Sequence, residues 1–252
     1  MKAVIIAAGC GSRLKNEHQG IPKTLMKING KRIIDDIIDK VHACGISELI
    51  IVTGFEDKLL EEGLRNYENS MINIQFVHNP DWEKANGISV FAAHQIIEVK
   101  DQFILLMSDH IFSRKMLQMM IDTDVPADEA LLAIDFKITS IPDLDDGMKV
   151  VCKKDKNKVY QITEFGKQLN EFNAIDAGMF KLNYSFFDAL ADSIENDRTS
   201  LSDACNVFSA KGKMKGLDIG DSLWLDVDTP EMIGQTNILA KIFDRDLDSL
   251  KF

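Results

Sequence analysis

The first half of the chain alternates short apolar runs with amphipathic stretches. Val4-Ile5-Ile6-Ala7 empties into Ala8-Gly9-Cys10-Gly11-Ser12-Arg13, and an apolar run bounded by glycines predicts a buried strand. From Lys31 to Cys44, Ile33, Ile34, Ile37, Ile38 and Val41 recur at helical spacing, with Gly45 placed as a C-terminal cap. Leu49 to Thr53 predicts a second buried strand, Asp57 to Leu64 a second helix, and Ile74 to Val77 a third strand. Asn79-Pro80 breaks the pattern, a helix resumes from Gly87, and Phe103 to Met107 predicts a fourth strand ending at Ser108-Asp109-His110. Strands alternating with helices imply crossover connections and a mostly parallel sheet, whose ligands sit beyond the carboxyl ends of the strands. The loops at Ala8 and at Asp109 both fall on that edge.

After about Ala130 the pattern becomes richer in strands. Leu131 to Lys137, Met148 to Lys153, Lys158 to Thr163 and Ala174 to Leu182 predict four, with turns at Asp145-Asp146-Gly147 and Asp155-Lys156-Asn157. Helices are predicted over Ser185 to Glu195 and Ser200 to Ser209, then a further strand pair over Met214 to Asp218 and Leu223 to Asp226. A last helix is expected to start at Thr229-Pro230-Glu231, with threonine as N-cap, proline in the first turn and an acid near the positive end. The expected fold is α/β: a mixed, mostly parallel central sheet flanked by helices, extended by a smaller β-rich lid lobe. We read residues 1–252 as one domain in two lobes, about 1–130 and 131–252.

Composition narrows the function. The chain of 252 residues is long enough for a substantial core, and its net charge of -11 argues against a sequence-independent grip on nucleic acid, which needs positive charge to displace counterions. A nucleotide ligand stays open, because a small site can be basic on an acidic surface. The apolar runs are too short to span a bilayer and the N-terminus reads as a strand rather than a signal peptide. Cys10, Cys44, Cys152 and Cys205 are scattered with no Cys-x-x-Cys pair, which reads as four reduced thiols in a cytoplasmic protein.

Glycines after the first strand let backbone approach a ligand, and successive N–H groups in such a turn suit phosphate, although many tight turns look the same. The spacing fits neither Gly-x-Gly-x-x-Gly nor a P-loop. Arg13 offers a fork of donors to phosphate oxygens. Pro22 stiffens the backbone before Lys23, which favours a lysine held in place to neutralise phosphate charge over one waving in solvent. Asp109, at the end of a strand, is placed for a metal, and magnesium prefers one or two carboxylates plus substrate phosphates. Asp226 or Asp228 supplies the second carboxylate; Asp226 ends its strand, while Asp228-Thr229-Pro230 also reads as simple helix capping. His110 reads as a structural hydrogen-bonding histidine. In Lys84 to Ser89, Asn86 or Ser89 is a candidate for hydrogen-bonding a base or ribose, with Gly87 letting the ring lie flat; an ordinary helix start fits equally. Glu164-Phe165-Gly166-Lys167 and Asp176-Ala177-Gly178 suggest only turns by themselves.

In this order the segments resemble a known family. Ala7-Ala8-Gly9-Cys10-Gly11-Ser12-Arg13-Leu14 with Pro22-Lys23 is similar to the signature of nucleotidyltransferases built on a glycosyltransferase-A-like, Rossmann-like sheet. Asn86-Gly87-Ile88-Ser89, Ser108-Asp109-His110, Gly166-Lys167, Ala174 to Phe180 and Trp224 to Pro230 resemble CTP:inositol-1-phosphate cytidylyltransferases. The resemblance implies CTP plus an organic phosphate giving a CDP-alcohol and pyrophosphate, with Mg2+. It places the nucleotide on Ala7, Ala8, Gly9, Gly11, Ser12, Asn86, Gly87 and Ser89, with cytosine and ribose on the Ala8-Gly9 backbone and the Asn86 to Ser89 segment, and the triphosphate on Arg13 and Lys23. It places magnesium on Asp109 with Asp226 or Asp228, and the acceptor on Lys167 and Asp176. The acceptor is already an oxyanion, so no general base is needed; the protein must neutralise two anions and align them. The two lobes become a nucleotide-binding lobe and an acceptor-binding lobe. Ser108 departs from the glycine usual before the Asp-His pair. Relatives often carry a membrane-embedded transferase behind this domain; the chain stops at Phe252, so a transferase using the CDP-alcohol is expected as a separate protein. Other acceptors stay open: phosphocholine, for which Phe165, Phe172 and Tyr184 are available as aromatic neighbours, another phospho-alcohol or phosphonate, or a sugar-1-phosphate. A non-catalytic nucleotide sensor is the contrasting class, and it would have no need of the metal carboxylates.

Overall fold

The computed structural model describes residues 1–14, 20–65, 67, 72–141, 143–156, 158–229 and 232. Its centre is strand β1 (Lys2–Ala7), where Ala3, Val4 and Ile5 are fully buried. Because side chains alternate along a strand, Ala3, Ile5 and Ala7 enter one hydrophobic core while Val4 and Ile6 enter a second on the opposite face. A strand covered on both faces reads as continuous apolar sequence, which is why this one was legible.

A small hairpin, β2 (Lys27–Ile28) with β3 (Lys31–Arg32), leads into helix α1 (Ile33–Ala43). The isoleucine stripe of α1 is buried as its spacing predicts. Gly45 ends it at φ +82°, with Gly45 N–H donating to His42 O and Ile46 N–H to Val41 O, the paired bonds of a Schellman cap. There follow β4 (Glu48–Thr53), α2 (Asp57–Arg65), β5 (Asn73–His78), α3 (Asn86–Ala92) and β6 (Gln102–Met107). Next come β7 (His110–Phe112), α4 (Arg114–Asp122), β8 (Ala130–Asp135), β9 (Lys149–Lys156), β10 (Val159–Gly166) and β11 (Ala174–Asn183). Helices α5 (Ser185–Glu195) and α6 (Leu201–Ala210) and strands β12 (Met214–Asp218) and β13 (Trp224–Asp226) complete the described elements.

Nine strands form one mixed sheet in the order β5-β4-β1-β6-β11-β8-β12-β10-β9. The first four are mutually parallel, β8 and β12 are parallel, and β10 and β11 run against their neighbours. Lys149 and Val150 of β9 also pair with Ile175 and Ala174 of β11, so the last five strands curl back on themselves. Residues of α1, α2 and α4 fill the first core, and residues of α3, α5 and α6 fill the second.

Three features depart from the pattern reading. Helix α4 was not anticipated; Ser113 caps it, its Oγ accepting from Met116 N–H at 3.4 Å, and Met116, Leu117 and Met120 form its buried face. Strand β7 is too short to show a period. The expected strand pair of β12 and β13 is not a pair: β12 lies between β8 and β10, while β13 joins β7 in a separate antiparallel ribbon. The expected last helix lies almost wholly outside the described residues. Its cap is visible, Thr229 Oγ1 accepting from Met232 N–H at 3.3 Å.

Candidate active site

Two cavities, each about 600 Å3, open side by side at the carboxyl ends of β1 and β6. Arg13, Asn86, Met107, Asp109 and Asp228 line both, so three charged side chains stand on their shared wall.

The first cavity is floored by the loop after β1. Ala7 and Ala8 are buried, and Ala8 O accepts from Phe55 N–H at 2.9 Å, which ties the loop to the end of β4. Gly9 is exposed with nothing within 4 Å of where a Cβ would stand. Gly11 holds φ +58°, and a Cβ there would lie 3.0 Å from Lys23 Cβ, so this glycine lets Lys23 in. Ser12 lies in a short 3-10 turn with Arg13 and Leu14, its side chain outside the described residues. Trp82, unforeseen from sequence, forms another wall; it packs so closely on Gly54 that a Cβ there would stand 2.3 Å from Trp82 Cβ.

Lys23 follows Pro22 into a one-turn 3-10 helix and is 7% exposed. Its Nζ lies 3.1 Å from Asp109 Oδ2 and 3.9 Å from Asp226 Oδ1, and it pairs most closely with Asp228 Oδ1. Burial opposes its charge, but the three carboxylates outweigh that and raise its pKa. Asp228 also pairs with Arg13, so this carboxylate holds two cations at once.

The ribbon of β7 and β13 sets His110 opposite Asp226. His110 Nδ1 lies 2.8 Å from Asp109 Oδ1, its ring stacks on Trp224 at 5.7 Å between centroids, and Trp224 Nε1 donates to buried Asp135 at 2.9 Å. The imidazole also rests on Gly178, where a Cβ would stand 2.3 Å from His110 Cδ2. Gly178 lies in an irregularity of β11 between Asp176 and Phe180, and at φ +72° it donates its N–H to Asp176 Oδ1 at 2.7 Å. Burial lowers the His110 pKa, but Asp226, Asp109 and Asp176 together lift it to about 9. Burial would raise Asp109, yet Lys23 and His110 hold it well below the usual carboxylate range. Burial and the neighbouring Asp109 and Asp228 push Asp226 well above that range.

Asp109, His110 and Asp226 each offer a ligand atom within 4.8 Å of the others. Asp226 Oδ1 is buried without a hydrogen-bond partner. A buried carboxylate oxygen with no hydrogen bond, beside a second carboxylate, suits a hard divalent cation, which would satisfy the oxygen and remove the repulsion.

The second cavity faces the strands after residue 130. Lys167 stands at its mouth and Asp176 inside it, joined by Met148, Phe180, Trp224 and Lys137. Burial raises the Asp176 carboxyl to about 6, against the Gly178 N–H and His110. Lys167 Nζ donates to Asp146 Oδ1 and Arg13 Nη1 to Asp146 Oδ2, each at 2.6 Å. Sequence reading took Asp146 only as a turn residue; contact with a residue as remote as Arg13 leaves no local signal. Phe165, Phe172 and Tyr184 lie elsewhere: Phe165 is buried, Phe172 carries Lys149 over its ring, and Tyr184 packs on Phe187.

The segment at the start of α3 has packing duties of its own. Asn86 Oδ1 accepts from Leu201 N–H at 2.9 Å, and Ser89 Oγ is buried and accepts from Asn79 at 2.9 Å. A Cβ on Gly87 would stand 2.5 Å from Thr199 O, so the glycine lets α3 meet the start of α6.

A family model described as "Nucleotidyl transferase" matches residues 2–239. The chain is 29% identical over 238 residues to a protein of Archaeoglobus fulgidus named "Bifunctional IPC transferase and DIPP synthase", covering 94% of this chain and 43% of that one. It spans about half the length of the curated relatives of that name. Among solved structures it is similar to the inositol-1-phosphate CTP transferase from T. maritima, with a TM-score of 0.77 and 20% identity over 93% of this chain and 95% of that one. It is also similar to a UDP-glucose pyrophosphorylase, with a TM-score of 0.80 and 17% identity over 95% and 98%. At these identities the two structures speak for the fold.

Proposed function

The chain belongs to the nucleotidyl transferase family, and from that premise we propose that it transfers CMP from CTP to a small phosphorylated alcohol of the inositol-1-phosphate kind. The observation that carries this is the buried lysine Lys23, which lines the first cavity and is set among Asp109 and Asp228, which line both cavities, and Asp226, which lines the second. One cavity takes the nucleotide and the other the acceptor. All four cysteines are free thiols, in keeping with work in the cytoplasm.

In this reading the acceptor's phosphate oxygen attacks the α-phosphorus, a new P–O bond forms, and the bond to the β-phosphate breaks to release pyrophosphate. Lys23 faces the α-phosphate and neutralises charge gathering there; Arg13 holds the departing phosphates. Lys167 brings in the acceptor phosphate, and Asp176 takes an acceptor hydroxyl. Asp228 keeps Lys23 and Arg13 oriented before substrate arrives. Mg2+ would be held by Asp109 and Asp226 and would supply charge neutralisation and alignment of the phosphates. His110 fixes the Asp109 carboxylate through Nδ1. The nucleotide lies on the backbone of Ala7 to Ser12, with Asn86 beside it.

The cyclitol or other polyol reading is favoured over phosphocholine, because Phe165, Phe172 and Tyr184 form no cage around the second cavity while Asp176 and Lys137 line it. The relative named for IPC transfer points the same way.

The test is pyrophosphate release with magnesium and CTP across inositol-1-phosphate, phosphocholine, 2-aminoethylphosphonate, glycerol phosphates and sugar-1-phosphates. Release with inositol-1-phosphate and CTP is expected. Release only with a sugar-1-phosphate and another nucleotide would replace this reading by sugar activation, and binding of CTP without release would replace it by nucleotide sensing.

A further inference from the structure

The turn from Asp143 to Gly147 carries Asp146 onto the wall of the second cavity, beside Arg13, which lines both. One carboxylate oxygen accepts from Arg13 and the other from Lys167, both at 2.6 Å. Arg13 comes from the loop after β1 and Lys167 from the turn after β10, so a single side chain spans the cleft mouth from nucleotide side to acceptor side. On the roles proposed above, those two cations are the ones that must grip phosphate.

The turn has bonds of its own besides those of this side chain, so it can keep its fold while its motion changes. Asp143 O accepts from Gly147 N–H at 3.1 Å, Asp143 Oδ1 accepts from Asp146 N–H at 3.4 Å, and Lys149 Nζ donates to Lys167 O at 2.9 Å. The three charged side chains are each between 39% and 49% exposed, so water reaches them and partners can exchange at low cost. A carboxylate brings one negative charge, whereas a phosphate brings up to two charges and three acceptor oxygens, and is the stronger partner for an arginine fork.

We propose that Asp146 is a built-in competitor for phosphate: a latch across the cleft that opens when phosphate takes over Arg13 and Lys167 and recloses as pyrophosphate leaves. It lowers the affinity for entering and leaving phosphates alike, since Arg13 Nη1 and Lys167 Nζ are freed only while the latch is open, Arg13 Nη2 staying on Asp228. By recapturing Arg13 it shortens the stay of the product. This rests on the proposed roles of Arg13 and Lys167, but the latch itself can be read without turnover.

The probe is pyrophosphate, titrated calorimetrically into the wild-type protein and into Asp146→Asn, which keeps the shape and removes the charge. The variant is expected to bind about three- to tenfold more tightly, the gain from releasing two half-exposed ion pairs. Equal or weaker binding, or no binding by either protein, overturns the proposal. Independently, hydrogen exchange in the turn from Asp143 to Gly147 should rise in ligand-free Arg13→Gln, and in the wild type when pyrophosphate is added; unchanged exchange in both overturns it. A protein that passes both tests yet turns over no nucleotide keeps the latch and loses the transferase reading. One that turns over CTP and fails both keeps the reaction and loses the latch.

Discussion

Asp226 faces His110 across the antiparallel pairing of β13 with β7, and His110 in turn holds Asp109, the residue next to it in the chain. Two three-residue strands thus bring two carboxylates and an imidazole to one point. The Asp109–Asp226 pair should therefore behave differently from Asp228, which is committed to Lys23 and Arg13.

Asp109→Asn and Asp226→Asn are expected to lower turnover on the order of a hundredfold or more and to shift the magnesium concentration needed for half-maximal rate upward. Asp228→Asn should lower the rate while leaving that concentration unchanged. Magnesium titrations of pyrophosphate release make the comparison. Equal shifts for Asp226→Asn and Asp228→Asn would show that the two carboxylates share the metal.

Lys23→Ala is expected to cost stability as well as activity. The lysine side chain is 8% exposed among three carboxylates, and removing one partner of a buried pair costs about 3 kcal/mol. Lys23 helps depress the Asp109 pKa, so that part of its contribution is fully present above the unfolded carboxyl value near 4 and fades as pH falls below it. Urea unfolding in metal-free buffer should show a gap between wild type and variant that is wide at pH 7 and narrows toward pH 3. A gap independent of pH would mean that the carboxylates are not what Lys23 answers.

Gly178→Ala should destabilise the protein and impair catalysis together. The substitution forces a left-handed backbone on alanine, costing about 1 kcal/mol, and drives a methyl into the His110 ring. Thermal unfolding and steady-state kinetics measured side by side test it; a variant with wild-type melting and rate would show that the ring moves aside freely.

Lys181→Met is a control from outside the site. Buried Lys181 donates to Ile121 O at 2.9 Å and Thr123 O at 2.8 Å, closing the end of α4. Its loss should cost about 2 kcal/mol with kcat/KM unchanged. A fall in kcat/KM at saturating stability would tie α4 to the active site.

The long strands and most helices were legible because their apolar residues follow one period. Val4 to Ala7 and Phe103 to Leu106 are buried on both faces, and Ile33 to Val41 forms a single stripe. The positions of Lys23, Asp109 and Asp226 followed from strand ends and a proline. What stayed hidden were relationships between remote segments: Asp146 with Arg13, Asn86 with Leu201, and Gly178 beneath His110. None of these leaves a periodic trace. Helix α4 was hidden for another reason, since a methionine-rich face between two short strands offers little contrast with its surroundings.

The insertion of β11 beside β6 has a consequence for how the chain is born. Strands β1, β4, β5 and β6 can assemble as soon as residue 107 has left the ribosome, since they pair only with one another and with β11. Until β11 is synthesised, several seconds later at ordinary elongation rates, the apolar strand β6 stands as a bare edge with its backbone groups unpaired. The first four strands therefore expose an apolar edge during that interval, and the solubility of the nascent chain depends on the arrival of β11, a strand from beyond residue 130.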